Sequence, residues 1–151
     1  MPMYTITTVE NRLSQAQKNS LAQTIDEIHC KYSHAPTYFV QILFNEVKAS
    51  NYFLGGKPIK EDNIFIHGDI RTGFGNIPKK ELILELISKF ASLAKAEPSA
   101  IEIYLNEIPH NQMTELGVAL AETGEDGEWE SKLPLEAKNR KQRILENHPS
   151  S

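Results

Sequence analysis

The sequence contains a single cysteine, Cys30, so an intramolecular disulfide is impossible. That fits a reducing compartment. No apolar run approaches the ~18 residues of a membrane helix. The start, Met1-Pro2-Met3-Tyr4-Thr5-Ile6, lacks a basic stretch followed by a long apolar core. No targeting segment is read there, and a soluble, cytoplasmic protein is expected. A basic excess is also missing: 16 Lys and Arg stand against 20 Asp and Glu, for a net charge of −4. Sequence-independent nucleic-acid binding needs a basic footprint, so no nucleic-acid and no membrane partner is expected.

The composition that remains is ordinary and globular, with 40% apolar and 24% charged residues. At 151 residues the chain suits one compact core. It can bury about two thirds of its unfolded surface without a disulfide or metal.

Apolar periodicity predicts the elements. Tyr4 to Thr8 is rich in β-branched and aromatic residues and reads as a strand. Ser14 and Gln17 form a candidate capping box. Leu21, Ile25, Ile28 and Tyr32 then mark one face of a helix over about 15–32. Tyr38 to Phe44 is a second strand, apolar enough to be largely buried. Asn51 to Ile59 carries the turn signal Gly55-Gly56, and Ile64 to Gly68 is a third strand. Pro78 sits near the first turn of a second helix faced by Leu82, Ile83, Leu86, Ile87, Phe90 and Leu93. Ala100 to Leu105 is a fourth strand.

The order is β-α-β twice. Phe44-Asn45-Glu46-Val47 recurs 61 positions later as Leu105-Asn106-Glu107-Ile108, which supports duplication. Right-handed crossovers place both helices on one face of a four-stranded mixed sheet, an α+β fold. The other face needs cover, from the tail or from another copy of the chain. In the tail, Pro109 to Leu120 reads as a short helix with Met113, Leu116 and Leu120 inward. Gly124 to Gly127 reads as an acidic turn, Trp129 and Leu133 as anchors, and 136–147 as a charged exposed helix fraying toward Ser151.

The most informative single residue is Pro2. Removal of Met1 would expose a secondary amine in place of an amide. An ordinary α-amino group titrates at about 7.7–8.0, and apolar burial lowers that value. Pro2 is therefore a candidate general base or general acid. Other constellations carry less. His29, Cys30 and His34 lack a completing ligand for a metal. Gly73-Phe74-Gly75 is too short for a phosphate loop. Lys138, Arg140, Lys141 and Arg143 read as a solvated face. No cofactor and no metal is called for.

An N-terminal proline on a strand, followed by duplicated β-α-β units, resembles the tautomerase superfamily. Within it the chain is most similar to the cis-3-chloroacrylic acid dehalogenase-like group. The residues carrying this are Asn51-Tyr52-Phe53-Leu54-Gly55-Gly56, Ile64-Phe65-Ile66-His67-Gly68, Gln112-Met113 with Glu115, and Gly127-Glu128-Trp129. The resemblance runs from Pro2 to about Trp129. It implies a tautomerase-like domain over 1–129 and a C-terminal extension over 130–151.

The resemblance also implies roles. Pro2 matches the catalytic proline, and His29 a histidine that helps hold a substrate carboxylate. Arg71 matches the first of two substrate-binding arginines. Tyr104 and Glu115 match the pair that activates water. The second arginine is absent, with Phe74 in its place. A homotrimer with sites near subunit boundaries is implied, as is a small carboxylic-acid substrate. The expected activity is proton transfer, and with Glu115 and Tyr104 water addition or dehalogenation, on small unsaturated or keto acids. Loss of an arginine cation counts against efficient dehalogenation. One alternative is keto–enol tautomerisation of a phenylpyruvate type. The other is a trimeric binding protein without catalysis.

Overall fold

A computed structural model describes residues 2–33, 40–73 and 78–147. Its central sheet has four strands: β1 (Met3–Val9), β2 (Gln41–Val47), β5 (Ile64–Arg71) and β6 (Ile101–Ile108). The spatial order is β2-β1-β5-β6. β1 pairs parallel with β2, and β5 parallel with β6. The two halves meet antiparallel where β1 pairs with β5. Helices α1 (Gln15–Ser33) and α2 (Lys79–Ala94) are the crossovers within each half. This is the mixed α+β sheet expected from the duplicated pattern.

Local chemistry sets the helix start. Ser14 Oγ accepts from the Gln17 backbone N–H at 3.2 Å, and Gln17 Oε1 accepts from the Ser14 N–H at 2.9 Å. Two otherwise orphaned donors are satisfied reciprocally, the capping box read from the sequence. From there Leu21, Ile25 and Ile28 point to the sheet and are buried, as are Leu82, Leu86, Phe90 and Ala94 on α2. They close over Tyr4 and Ile6 of β1, Ile64 and Ile66 of β5, and Ile101 of β6.

The duplication extends to side-chain detail. Lys18 Nζ pairs with Glu46 at 2.8 Å, and 61 positions on Lys79 Nζ pairs with Glu107 at 2.8 Å. Each pair ties the start of a crossover helix to the end of its strand. The repeat also covers two small hairpins. One joins β3 (Phe53–Leu54) to β4 (Lys57–Pro58), and the other joins β7 (Thr114–Glu115) to β8 (Val118–Ala119). Both turn through two residues with positive φ: Gly55 at 59° and Gly56 at 77°, then Leu116 at 53° and Gly117 at 79°. Such turns suit two-residue hairpins because their twist matches that of the strands.

Several expectations are corrected. Pro109 to Leu120 is not a helix but a 3₁₀ turn at His110–Gln112 followed by the β7–β8 hairpin. Gly117 ends any helical reading, because a left-handed turn there reverses the chain. The second strand runs to Val47 rather than Phe44, since its pairing with β1 extends to Val9↔Val47. As an edge strand it alternates between partly covered and exposed residues rather than being largely buried. Tyr38 and Phe39, assigned to its start, lie outside the described residues.

The acidic turn at Gly124 to Gly127 instead leads into α3 (Asp126–Ser131). Leu133 is buried beyond it, and the Trp129 indole donates to the Ala119 carbonyl at 2.7 Å. α4 (Leu135–Glu146) is the charged helix, with Ala137 buried. Among the described residues, the sheet face opposite the helices is left uncovered, exposing Met3, Leu43 and Tyr104.

Candidate active site

The start of β1 brings Pro2 under cover. Pro2 is buried, and its carbonyl accepts the Gln41 N–H at 2.9 Å. Beside it is a concentration of polar groups that the core would not otherwise tolerate. His29 is 1% exposed, Arg71 4% and Glu115 4%. They come from α1, the end of β5 and β7, so tertiary folding alone assembles them.

His29 lies on the sheet-facing side of α1. Its Nδ1 lies 2.9 Å from the Tyr4 hydroxyl. The two rings meet edge to face, with centroids 5.7 Å apart. Burial depresses the imidazole pKa to about 4, and the positive charge of the chain's amino terminus adds to the effect. His29 is therefore neutral at pH 7.

Arg71 is the last residue of β5. β5 is longer than the sequence suggested because β6 accompanies it up to Arg71↔Ile108. The guanidinium is braced on two sides. One terminal nitrogen donates to the Ala121 carbonyl at 3.2 Å, and the other contacts the Asp126 carboxylate at 2.9 and 3.1 Å. The planar fork is thereby held in one orientation.

Glu115 sits on a hairpin strand and is buried, in a segment whose sequence reads as a short helix. Burial raises its carboxyl pKa. Positive charge from the amino terminus and then from Arg71 pulls it back down. The same terminal charge, one residue before Pro2, thus acts on His29 and on Glu115, and Arg71 acts on Glu115. These interactions tie the three side chains to the Pro2 end of β1.

Tyr104 does not join them. It projects from β6 on the open face of the sheet, 61% exposed, with its ring edge-on to Phe65 at 5.0 Å between centroids. Phe74 lies outside the described residues. Among the described residues, no group of three or more His, Cys, Asp or Glu side chains is placed to hold a metal ion. Cys30 Sγ contacts Asp26 Oδ1 at 3.7 Å, and burial pushes its thiol up to about 12. It is a poor nucleophile on that account. Also among the described residues, no helix is long and apolar enough to cross a membrane.

Sequence reasoning missed two participants. Asp126 was read as part of an acidic turn, and Tyr4 only as a strand former. Neither carries a local signal, because each acts through a residue distant in sequence. Glu115's setting was legible in principle. The 61-residue repeat maps it onto Leu54 and maps β7–β8 onto β3–β4.

The comparisons agree with this architecture. The tautomerase family profile described as "putative oxalocrotonate tautomerase enzyme" matches residues 1–132. A comparison with curated proteins gave no significant match. Among solved structures, N1, a member of the cis-3-chloroacrylic acid dehalogenase family, is 30% identical. The match covers 95% of this chain and 99% of N1, with a TM-score of 0.83. A wild-type fused 4-OT described as an asymmetric trimer is 24% identical, over 78% of this chain and 94% of that one, with a TM-score of 0.69. Native RhCC from Rhodococcus jostii RHA1 is 21% identical over 99% of both chains, with a TM-score of 0.66. The last two show a shared fold. A duplicated β-α-β sheet, a family match over residues 1–132 and near-complete overlap with N1 together place this chain in the tautomerase family, with a relative in its cis-3-chloroacrylic acid dehalogenase branch.

Proposed function

We propose that the protein, once Met1 is removed, is an N-terminal-proline enzyme acting on small unsaturated or keto acids. The observation that carries this reading is the burial of His29, Arg71 and Glu115, with the amino-terminal charge acting on His29 and Glu115 and Arg71 acting on Glu115. Burying an imidazole, a guanidinium and a carboxyl is costly, and Tyr4, Asp126 and the amino terminus offset part of that cost while holding the groups together. A cation and a neutral imidazole suit a carboxylate substrate. The Pro2 amine supplies a proton acceptor or donor next to it.

Two reactions fit one pocket. As a base, neutral Pro2 takes the enol or α-carbon proton of a keto acid and returns it at the other position. As an acid, protonated Pro2 delivers its proton to the α-carbon of an unsaturated acid. Glu115 meanwhile takes a proton from the water that adds at the β-carbon. The raised pKa of Glu115 strengthens it as a base once ionised. If that carbon carries a halogen, the adduct loses hydrogen halide.

The second reaction needs Tyr104, which lies on the opposite sheet face of the same chain. Assembly as a homotrimer supports it, with a neighbouring copy presenting Tyr104 to the site. The fused 4-OT relative is described as a trimer, and the exposed Met3, Leu43 and Tyr104 give the open face apolar surface to bury. Phe74 in place of a second arginine weakens the hold on a carboxylate. One charge-assisted hydrogen bond is worth about 1.5–3 kcal/mol, or roughly tenfold to a hundredfold in affinity. Tautomerisation, which makes less demand on a tightly held anion, is the reaction this pocket favours.

Intact mass and a pH titration of the amino terminus test the reading. Loss of Met1 with a Pro2 pKa below that of an ordinary α-amino group supports base catalysis. A retained Met1 makes Pro2 an amide and removes proton transfer altogether. In the processed enzyme, Arg71→Ala is expected to raise KM for a keto acid tenfold or more; an unchanged KM removes Arg71 from carboxylate binding.

A further inference from the structure

The contact between Tyr4 and His29 bears on which nitrogen of a buried imidazole carries the proton. Tyr4 is fully buried in the core, and among the described residues its hydroxyl is hydrogen-bonded to His29 Nδ1. Among the described residues, the buried His29 Nε2 has no hydrogen-bond partner. Two arrangements of the protons are possible. If Nδ1–H donates to the phenol oxygen, the phenol O–H is left without an acceptor and Nε2 becomes a bare, buried lone pair. If the phenol O–H donates to Nδ1, the phenol proton is satisfied and only Nε2–H remains. The first arrangement leaves two orphaned buried groups and the second leaves one, and each orphan is costly.

We propose that Tyr4 is a positioning residue that holds His29 as the neutral Nε2–H tautomer, so that its free donor is presented to a substrate oxygen. The inference rests on the reading of this pocket as an acid-binding site. A neutral imidazole has one donor and one acceptor. With the acceptor engaged by Tyr4, the remaining N–H suits a carboxylate or carbonyl oxygen.

The surroundings are built for this pair. The Tyr4 ring lies across Gly68, its register partner on β5. A Cβ at Gly68 would stand 2.7 Å from Tyr4 Cε1. The absence of a side chain there fixes where the phenol sits. In the duplicated half, the position 61 residues after His29 is Phe90, which is fully buried. The second half thus fills this helix position with an apolar ring. The first half places a polar ring there and supplies a hydroxyl to orient it.

Nitrogen-15 spectroscopy of the imidazole in the wild-type protein tests the assignment at pH 7 without substrate. The expected signature is a protonated Nε2 and an unprotonated Nδ1. A protonated Nδ1 overturns the proposal. In Tyr4→Phe the preference is expected to fade, with Nδ1–H gaining population; an unchanged tautomer overturns Tyr4's role. Pyruvate titrated into the wild type is expected to move the Nε2–H resonance, and no movement overturns the substrate-facing part. For turnover of a keto acid, Tyr4→Phe is expected to raise KM about tenfold with a smaller change in kcat. The reverse split, in kcat alone, overturns a binding role. The tautomer is read without activity, so its failure is distinguishable from the unchanged Arg71→Ala KM that would sink the acid-binding reading.

Discussion

At the scale of the residue, His29 carries a cost that pH reveals. Its pKa falls from 6.5 when unfolded to about 4 when folded, chiefly through burial. The unfolded chain therefore binds the proton more readily between those values. Stability attributable to His29 is complete above pH 6.5 and is lost as pH falls toward 4. At about 1.4 kcal/mol per pH unit the loss is on the order of 3 kcal/mol. Urea unfolding across this range should show that slope in the wild type and a shallower one in His29→Gln; parallel curves would mean the imidazole is not buried as described.

Glu115 behaves in the opposite sense. Its folded pKa is raised, so the fold favours the protonated form. The charged form is penalised as pH rises past the ordinary carboxyl range. Glu115→Gln is thus expected to raise the melting temperature at pH 7 but not at pH 3, while abolishing any hydration activity. Equal shifts at both pH values would contradict it.

At the scale of the element, the two hairpins are the same device put to different uses. Gly56 and Gly117 occupy equivalent left-handed positions, with nothing within 4 Å of an added Cβ. Substitution by alanine therefore costs backbone strain alone, about 1–2 kcal/mol at either site. Gly56→Ala and Gly117→Ala should lower stability by similar amounts in chemical denaturation. Only Gly117→Ala should also impair turnover, because β7 carries Glu115 into the site whereas β3 carries the exposed Leu54. Equal activity in the two variants would remove β7 from the catalytic machinery.

At the scale of the whole molecule, the helix-covered face of the sheet is sealed and the other is not. Leu43 is 50% exposed and Tyr104 61%, on strands at opposite edges of the sheet. Leu43→Glu places a charge on that face without touching the core. Sedimentation is expected to show the proposed trimer in the wild type and smaller species in the variant. An unaltered trimer would move the interface elsewhere. If Tyr104 acts across that interface, dissociation and loss of hydration should occur together.

The amino-acid pattern alone determined much of this molecule. The helix faces, the capping box at Ser14, the four principal strands and the 61-residue repeat all follow from local periodicity, which short-range sterics and apolar burial enforce. Family-like positions such as Pro2, His29, Arg71, Tyr104 and Glu115 could be marked on the chain. What they meet in space could not. Sequence separation hides that Arg71 is braced by Asp126, that Tyr4 reaches His29, and that Glu115 is buried on a hairpin. It also hides that Tyr104 leaves the sheet on the other side. Those facts depend on strand register and crossover handedness, which only the assembled tertiary structure decides.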